Sequence, residues 1–135
     1  MWTLLMVVAL SLDPRSENLQ LLAALRDLRT RGIMQTEQRE VAAFIVRRED
    51  GSLNAVIWPQ NGRYRSGHYE GPVPAGTVAI AHTHPPEADR RPSRGDIEQA
   101  KKIGMPIYVV TRWNLWVADA QGDVHELVAR TDWSH

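Results

Sequence analysis

Cysteine is missing from all 135 residues. Its absence excludes disulfides, thiol redox chemistry and any thiolate-walled metal centre, while leaving the cellular compartment open. An excess of one charge is missing too, since 16 Lys and Arg stand against 16 Asp and Glu. Nothing therefore points to nucleic acid or to an acidic membrane surface as a partner. Phenylalanine occurs once. No internal repeat and no low-complexity tract interrupts the chain. The apolar run from Trp2 to Leu12 falls well short of the roughly 20 residues that a membrane-spanning helix needs. That run has two readings. Its length suits the core of a signal peptide with Ala9-Leu10-Ser11 at the cleavage site, which would make the protein exported. No Lys or Arg precedes it, however, and a first buried element of a cytoplasmic protein reads equally well.

What is present reads as one α/β domain over residues 13–135, long enough to bury a real core. Asp13-Pro14 has the form of a helix cap followed by proline at the first helical position. Leu21, Leu22, Leu25 and Leu28 then make an apolar stripe, Arg29 and Arg31 suit the helix end, and Gly32 can close it. Val41 to Val46 and Asn54 to Trp58 form a hairpin about Asp50-Gly51. The polar, glycine-rich stretch from Pro59 to Gly76 is a long loop in which Tyr64, His68 and Tyr69 can meet a substrate. Three further strands are expected at Ile107–Thr111, Leu115–Ala118 and Val124–Val128, with a turn at Gln121-Gly122. Trp113, Trp116 and Trp133 read as packing or edge-covering aromatics rather than a binding platform.

The chemistry concentrates in His82-Thr83-His84-Pro85-Pro86 and Ser93-Arg94-Gly95-Asp96. Val78 to Ala81 reads as a buried strand leading into the histidines. Side chains alternate along a strand, so His82 and His84 leave its end on one face. Arg94 to Ile103 has helical spacing, with Ile97, Ala100 and Ile103 on the buried side. Ser93 falls at the N-cap of that helix and Asp96 at its third position, so the carboxylate can face the strand end. Two imidazoles, one carboxylate and an open fourth position form a donor set that zinc accepts readily. Taken apart, His-x-His and Ser-x-x-Asp are common and incidental. Joined by a strand before and a helix after, they specify a metal site.

At these residues the chain resembles the JAMM motif of the JAB/MPN metalloproteases. The resemblance runs from about Glu40 to Thr111. It implies an α/β fold: a JAB/MPN-like mixed β-sheet flanked by helices, with the cytidine-deaminase-like architecture. It also implies that His82, His84 and Asp96 hold Zn2+, that Ser93 stabilises the tetrahedral intermediate, and that a glutamate from an earlier strand is the general acid/base. Glu40 stands where that glutamate is expected, with Ala42 and Ala43 after it in place of a common glycine, and Glu37 is the reserve. The spacing from His84 to Ser93 is one residue longer than the commonest family pattern, within the polar stretch Glu87 to Pro92.

The activity implied is hydrolysis of a peptide or isopeptide bond, on a small peptide or flexible protein tail, because the chain carries no large insertion to grip a folded modifier. Oligomeric state is left open. Two rivals stand beside this reading. A non-catalytic JAB/MPN-like scaffold binds partners without needing a metal. A metal-dependent phosphoesterase also opens on His-x-His but requires more histidines and carboxylates from later strands, where only His125 precedes the terminal His135. A nucleobase deaminase fails for want of cysteine.

Overall fold

The computed structural model describes residues 14–31, 41–58, 72–84 and 91–128, the first five as backbone only. Helix α1 spans Pro14–Arg29 and is followed by strands β1 (Ala42–Arg47), β2 (Leu53–Ile57) and β3 (Thr77–Thr83). Helix α2 (Arg94–Ile103) then leads to β4 (Ile107–Val110), β5 (Leu115–Ala118) and β6 (Val124–Val128). The six strands make one mixed sheet in the order β2-β1-β3-β4-β5-β6. Only β3 and β4 are parallel, and α2 is the crossover that a parallel pair requires.

Strand alternation divides the sheet into two apolar faces. Leu25 and Leu28 of α1 pack with Val41, Ala43, Ile45, Ala79, Ala81, Val110 and Leu115 on one of them. On the other, Ala100 of α2 packs with Ala42, Phe44, Ile80, Ile107 and Ala118, supported by Ile97 and Ile103. The leucine stripe and the isoleucine–alanine stripe thus bury opposite faces of one sheet. Fully burying each of Leu25 and Leu28 is worth about 1.5–3 kcal/mol.

The β1–β2 hairpin turns where Asp50-Gly51 directs it. Gly51 has φ 87°, and the Asp50 carboxylate accepts from the Ser52 N–H at 2.9 Å. A left-handed backbone of this kind suits glycine because it has no Cβ to clash. At the other turn, Gly122 has φ 90°.

Arg29 stands at the helix end, as its sequence position suggests, but is buried there. It is 4% exposed, and its Nε–H donates to the Arg112 carbonyl at 2.9 Å, tying the end of α1 to the β4–β5 turn. A long aliphatic stem with a directional head can be buried when a carbonyl receives the head. Among the described residues, no helix is long and apolar enough to cross a membrane. Trp2 to Leu12, Asp13, Gly32, Glu37, Glu40, Tyr64, His68, Tyr69, Pro85, Pro86, Glu87 and Trp133 lie outside the described residues.

Candidate metal centre

The parallel β3–β4 pair presents its carboxyl end beside the N-terminus of α2, the place in open α/β sheets where ligands are commonly bound. Ala42, His82, Val109 and Trp116 lie opposite one another in the ladder, so they share the face that α2 covers. His82 is the penultimate residue of β3 and is 8% exposed. His84 follows just past the strand end, where its N–H donates to the Val110 carbonyl at 2.9 Å. The two rings lie 4.7 Å apart, centroid to centroid, tilted by 56°. The expected same-face pair of imidazoles is therefore formed.

Asp96 arrives from α2 by a reciprocal cap. Ser93 is the N-cap, its Oγ accepts from the Asp96 N–H at 3.1 Å, and Asp96 Oδ2 accepts from the Ser93 N–H at 2.8 Å. This exchange satisfies two donors that a helix start leaves open, and it orients the carboxylate. Its other oxygen, Oδ1, faces His82 Nε2 at 3.0 Å. One side chain thus caps the helix and reaches the histidine.

The donor atoms of His82, His84 and Asp96 all lie within 4.8 Å of one another, and these three can hold a metal ion. Ligands at 2.0–2.1 Å on a tetrahedral ion are separated by roughly 3.3 Å. The His82–Asp96 contact already approaches that spacing. Among the described residues this is the only trio of its kind.

The surroundings keep Asp96 ionised. Burial raises its carboxyl, but the His82 hydrogen bond and charge, with the Ser93 main-chain N–H, outweigh burial and bring it down to about 2. A carboxyl lowered on folding stabilises the metal-free fold at pH values above the ordinary range near 3.9, and that contribution is lost as pH falls through about 2. Metal binding has a different limit, because both imidazoles must be neutral to serve as ligands. Metal affinity measured by chelator competition is therefore expected to fall as the solution is acidified, with a slope approaching two protons per ion as both imidazoles become protonated. A slope of zero down to pH 5 would remove the histidines from the site.

Arg91 extends the same wall, its guanidinium lying 5.6 Å from the centroid of Trp116. Trp116 is half-buried, and Trp113 is exposed with Arg112 over its ring. His125 does not join the site. It lies towards the β5–β6 turn, opposite Val117, with Nε2 3.0 Å from Asp119 Oδ2.

Two buried contacts have no signature in the pattern of residue types. Arg29 reaching Arg112 is one. The other is Thr83, whose Oγ1 accepts from the Val41 N–H at 2.8 Å. Both bridge distant parts of the chain, and only the fold brings those parts together. No protein-family model matches the chain and no curated protein matches it, so its likeness to the JAMM pattern rests on the motif residues alone.

Proposed function

We propose that this protein is a zinc-dependent hydrolase of peptide or isopeptide bonds, of the JAMM type, acting on a small peptide or a flexible protein tail. The observation that carries the reading is the convergence of His82, His84 and Asp96 at one sheet end, with the Ser93 hydroxyl on the same helix start. Two neutral nitrogens and one carboxylate oxygen suit zinc and leave a position open, as catalytic rather than structural sites do. A zinc ion held there supplies Lewis acidity towards water and towards a carbonyl.

The chain's own groups have three tasks. His82 and His84 supply neutral ligands from a strand end anchored on β4, and Asp96 supplies the charged one from its capped position. Ser93 Oγ accepts from the Asp96 N–H, so its proton remains for an oxyanion that develops as the carbonyl is attacked. Glu40 takes the proton of the attacking water and delivers it to the leaving amine. Glu40 is given this task by the resemblance, which expects a glutamate just before a strand, and β1 begins at Ala42, with Glu37 the reserve.

The test is hydrolysis of a mixed peptide and isopeptide library, with and without a chelator. Cleavage that the chelator abolishes and zinc restores is the expected result. Stoichiometric metal with no cleavage of any member would replace the hydrolase by a binding scaffold.

A further inference from the structure

Arg91 stands two residues before the Ser93 cap and is exposed. Pro92, between them, is buried with a ring-fixed φ, and a proline narrows the backbone choices of the residue before it. The Arg91 side chain therefore starts from an anchored point beside the metal centre. Its guanidinium carbon lies 5.6 Å from the centroid of Trp116, which is half-buried on β5. Trp116 is opposite Val109 in the ladder, and Val109 is opposite His82. Two strand spacings, roughly 10 Å, thus separate Trp116 from His82 on one face of the sheet.

A guanidinium over an indole ring gains a cation–π attraction and gives up rotamer freedom before any ligand arrives. Its N–H donors lie in its own plane, a fork that matches a carboxylate through two parallel hydrogen bonds. Glu126 lies one strand beyond, opposite Trp116, and accepts from Asn114 Nδ2 at 2.7 Å. Its charge repels a second carboxylate from that side, so an anionic ligand meets Arg91 from the side of the metal.

We infer that Arg91, held over Trp116, is a specificity-determining residue that receives a carboxylate of the substrate. An extended peptide advances roughly 3.3 Å per residue, which puts that carboxylate about three residues from the scissile bond. A Glu or Asp side chain and a free C-terminus offer a guanidinium the same group. The inference rests on the hydrolase reading for the scissile bond and on the Arg91–Trp116 geometry for the anion.

The test remakes the best library peptide with Glu or Gln at the third residue on either side of the scissile bond, each with a free or an amidated C-terminus. The zinc-loaded protein is expected to favour a peptide bearing the carboxylate by about tenfold in kcat/KM, an advantage that added salt reduces. Whether amidation or the Glu-to-Gln change removes the advantage identifies the source. Arg91→Gln should bring the ratio within about twofold while the amidated Gln peptide is cleaved within about threefold of the wild-type rate. Arg91→Glu should reverse the preference, favouring Lys over Gln at that position. Arg112→Gln removes an arginine at the same end of the sheet, over Trp113 instead, and should leave the preference intact.

Three results overturn the inference. They are no carboxylate preference in the wild type, an equal fall on every peptide in Arg91→Gln, or the same loss of preference in Arg112→Gln. An equal fall is the mark of a structural clamp on the start of α2. If the wild-type protein cleaves nothing, the hydrolase reading fails by itself, and fluorescence anisotropy decides the subsite. The probe is a labelled heptapeptide carrying one Glu, compared with its Gln and amidated versions. Tighter binding of the carboxylate form that Arg91→Gln abolishes supports the subsite, and equal binding or none overturns it.

Discussion

Glu40→Gln is expected to abolish hydrolysis while leaving zinc bound. The substitution keeps size and hydrogen-bonding reach but removes the capacity to take up a proton at neutral pH. General acid/base groups contribute about 10²- to 10⁴-fold, and Glu40 is assigned both the uptake from water and the delivery to the amine. A fall in kcat of at least about 10³-fold is therefore expected, with zinc content by atomic absorption unchanged. The metal should be indifferent because His82, His84 and Asp96 are placed by β3, its contact to β4 and the cap of α2. Full activity in Glu40→Gln would move the base elsewhere, and Glu37→Gln made in parallel would show whether it moves three residues back.

The opposite pattern is expected of His84→Ala, in which zinc and activity should vanish together. His84 is half-buried beyond the end of β3, and the N–H bond that ties it to the Val110 carbonyl is a main-chain bond that alanine retains. The fold should persist, with the thermal midpoint of the metal-free protein close to wild type. Loss of a mere supporting hydrogen bond behind a ligand costs about 10- to 100-fold in metal affinity, and loss of a ligand itself should exceed that. A variant that kept stoichiometric zinc would exclude His84 from the centre. Asp96→Ala is a less clean experiment, because it removes a ligand and breaks the reciprocal cap of α2 at once. A lost cap alone costs about 1 kcal/mol.

The two variants separate the roles that the motif superimposes. A scaffold without catalysis predicts no activity to lose in either. The hydrolase predicts one variant that is inactive and loaded, and another that is inactive and empty.

Local signals in the chain were sufficient for much of this architecture. Asp50-Gly51 specified its hairpin because a positive φ is cheap only for such residues, and the periods of Leu21 to Leu28 and Ile97 to Ile103 specified two helices that each bury one stripe. His82 and His84 come together because strand alternation, continued one residue past β3 by the His84 N–H bond to the Val110 carbonyl, puts both on one side. The Ser93–Asp96 cap is likewise a property of four consecutive residues, and it formed as read.

Tertiary structure decided the remainder, and the reason is the same in each case. A contact between distant segments depends on strand order and register, which no local spacing encodes. Nothing near Arg29 announces the Arg112 carbonyl 83 residues away that allows its burial. Nothing near Thr83 announces Val41, 42 residues earlier, as the partner of its hydroxyl. His125 was a candidate by residue type alone, and only the β5–β6 register takes it from the histidine pair to Asp119. Residue types and short spacings thus determined which groups can do chemistry here, and the pairing of β1, β3 and β4 determined which of them meet.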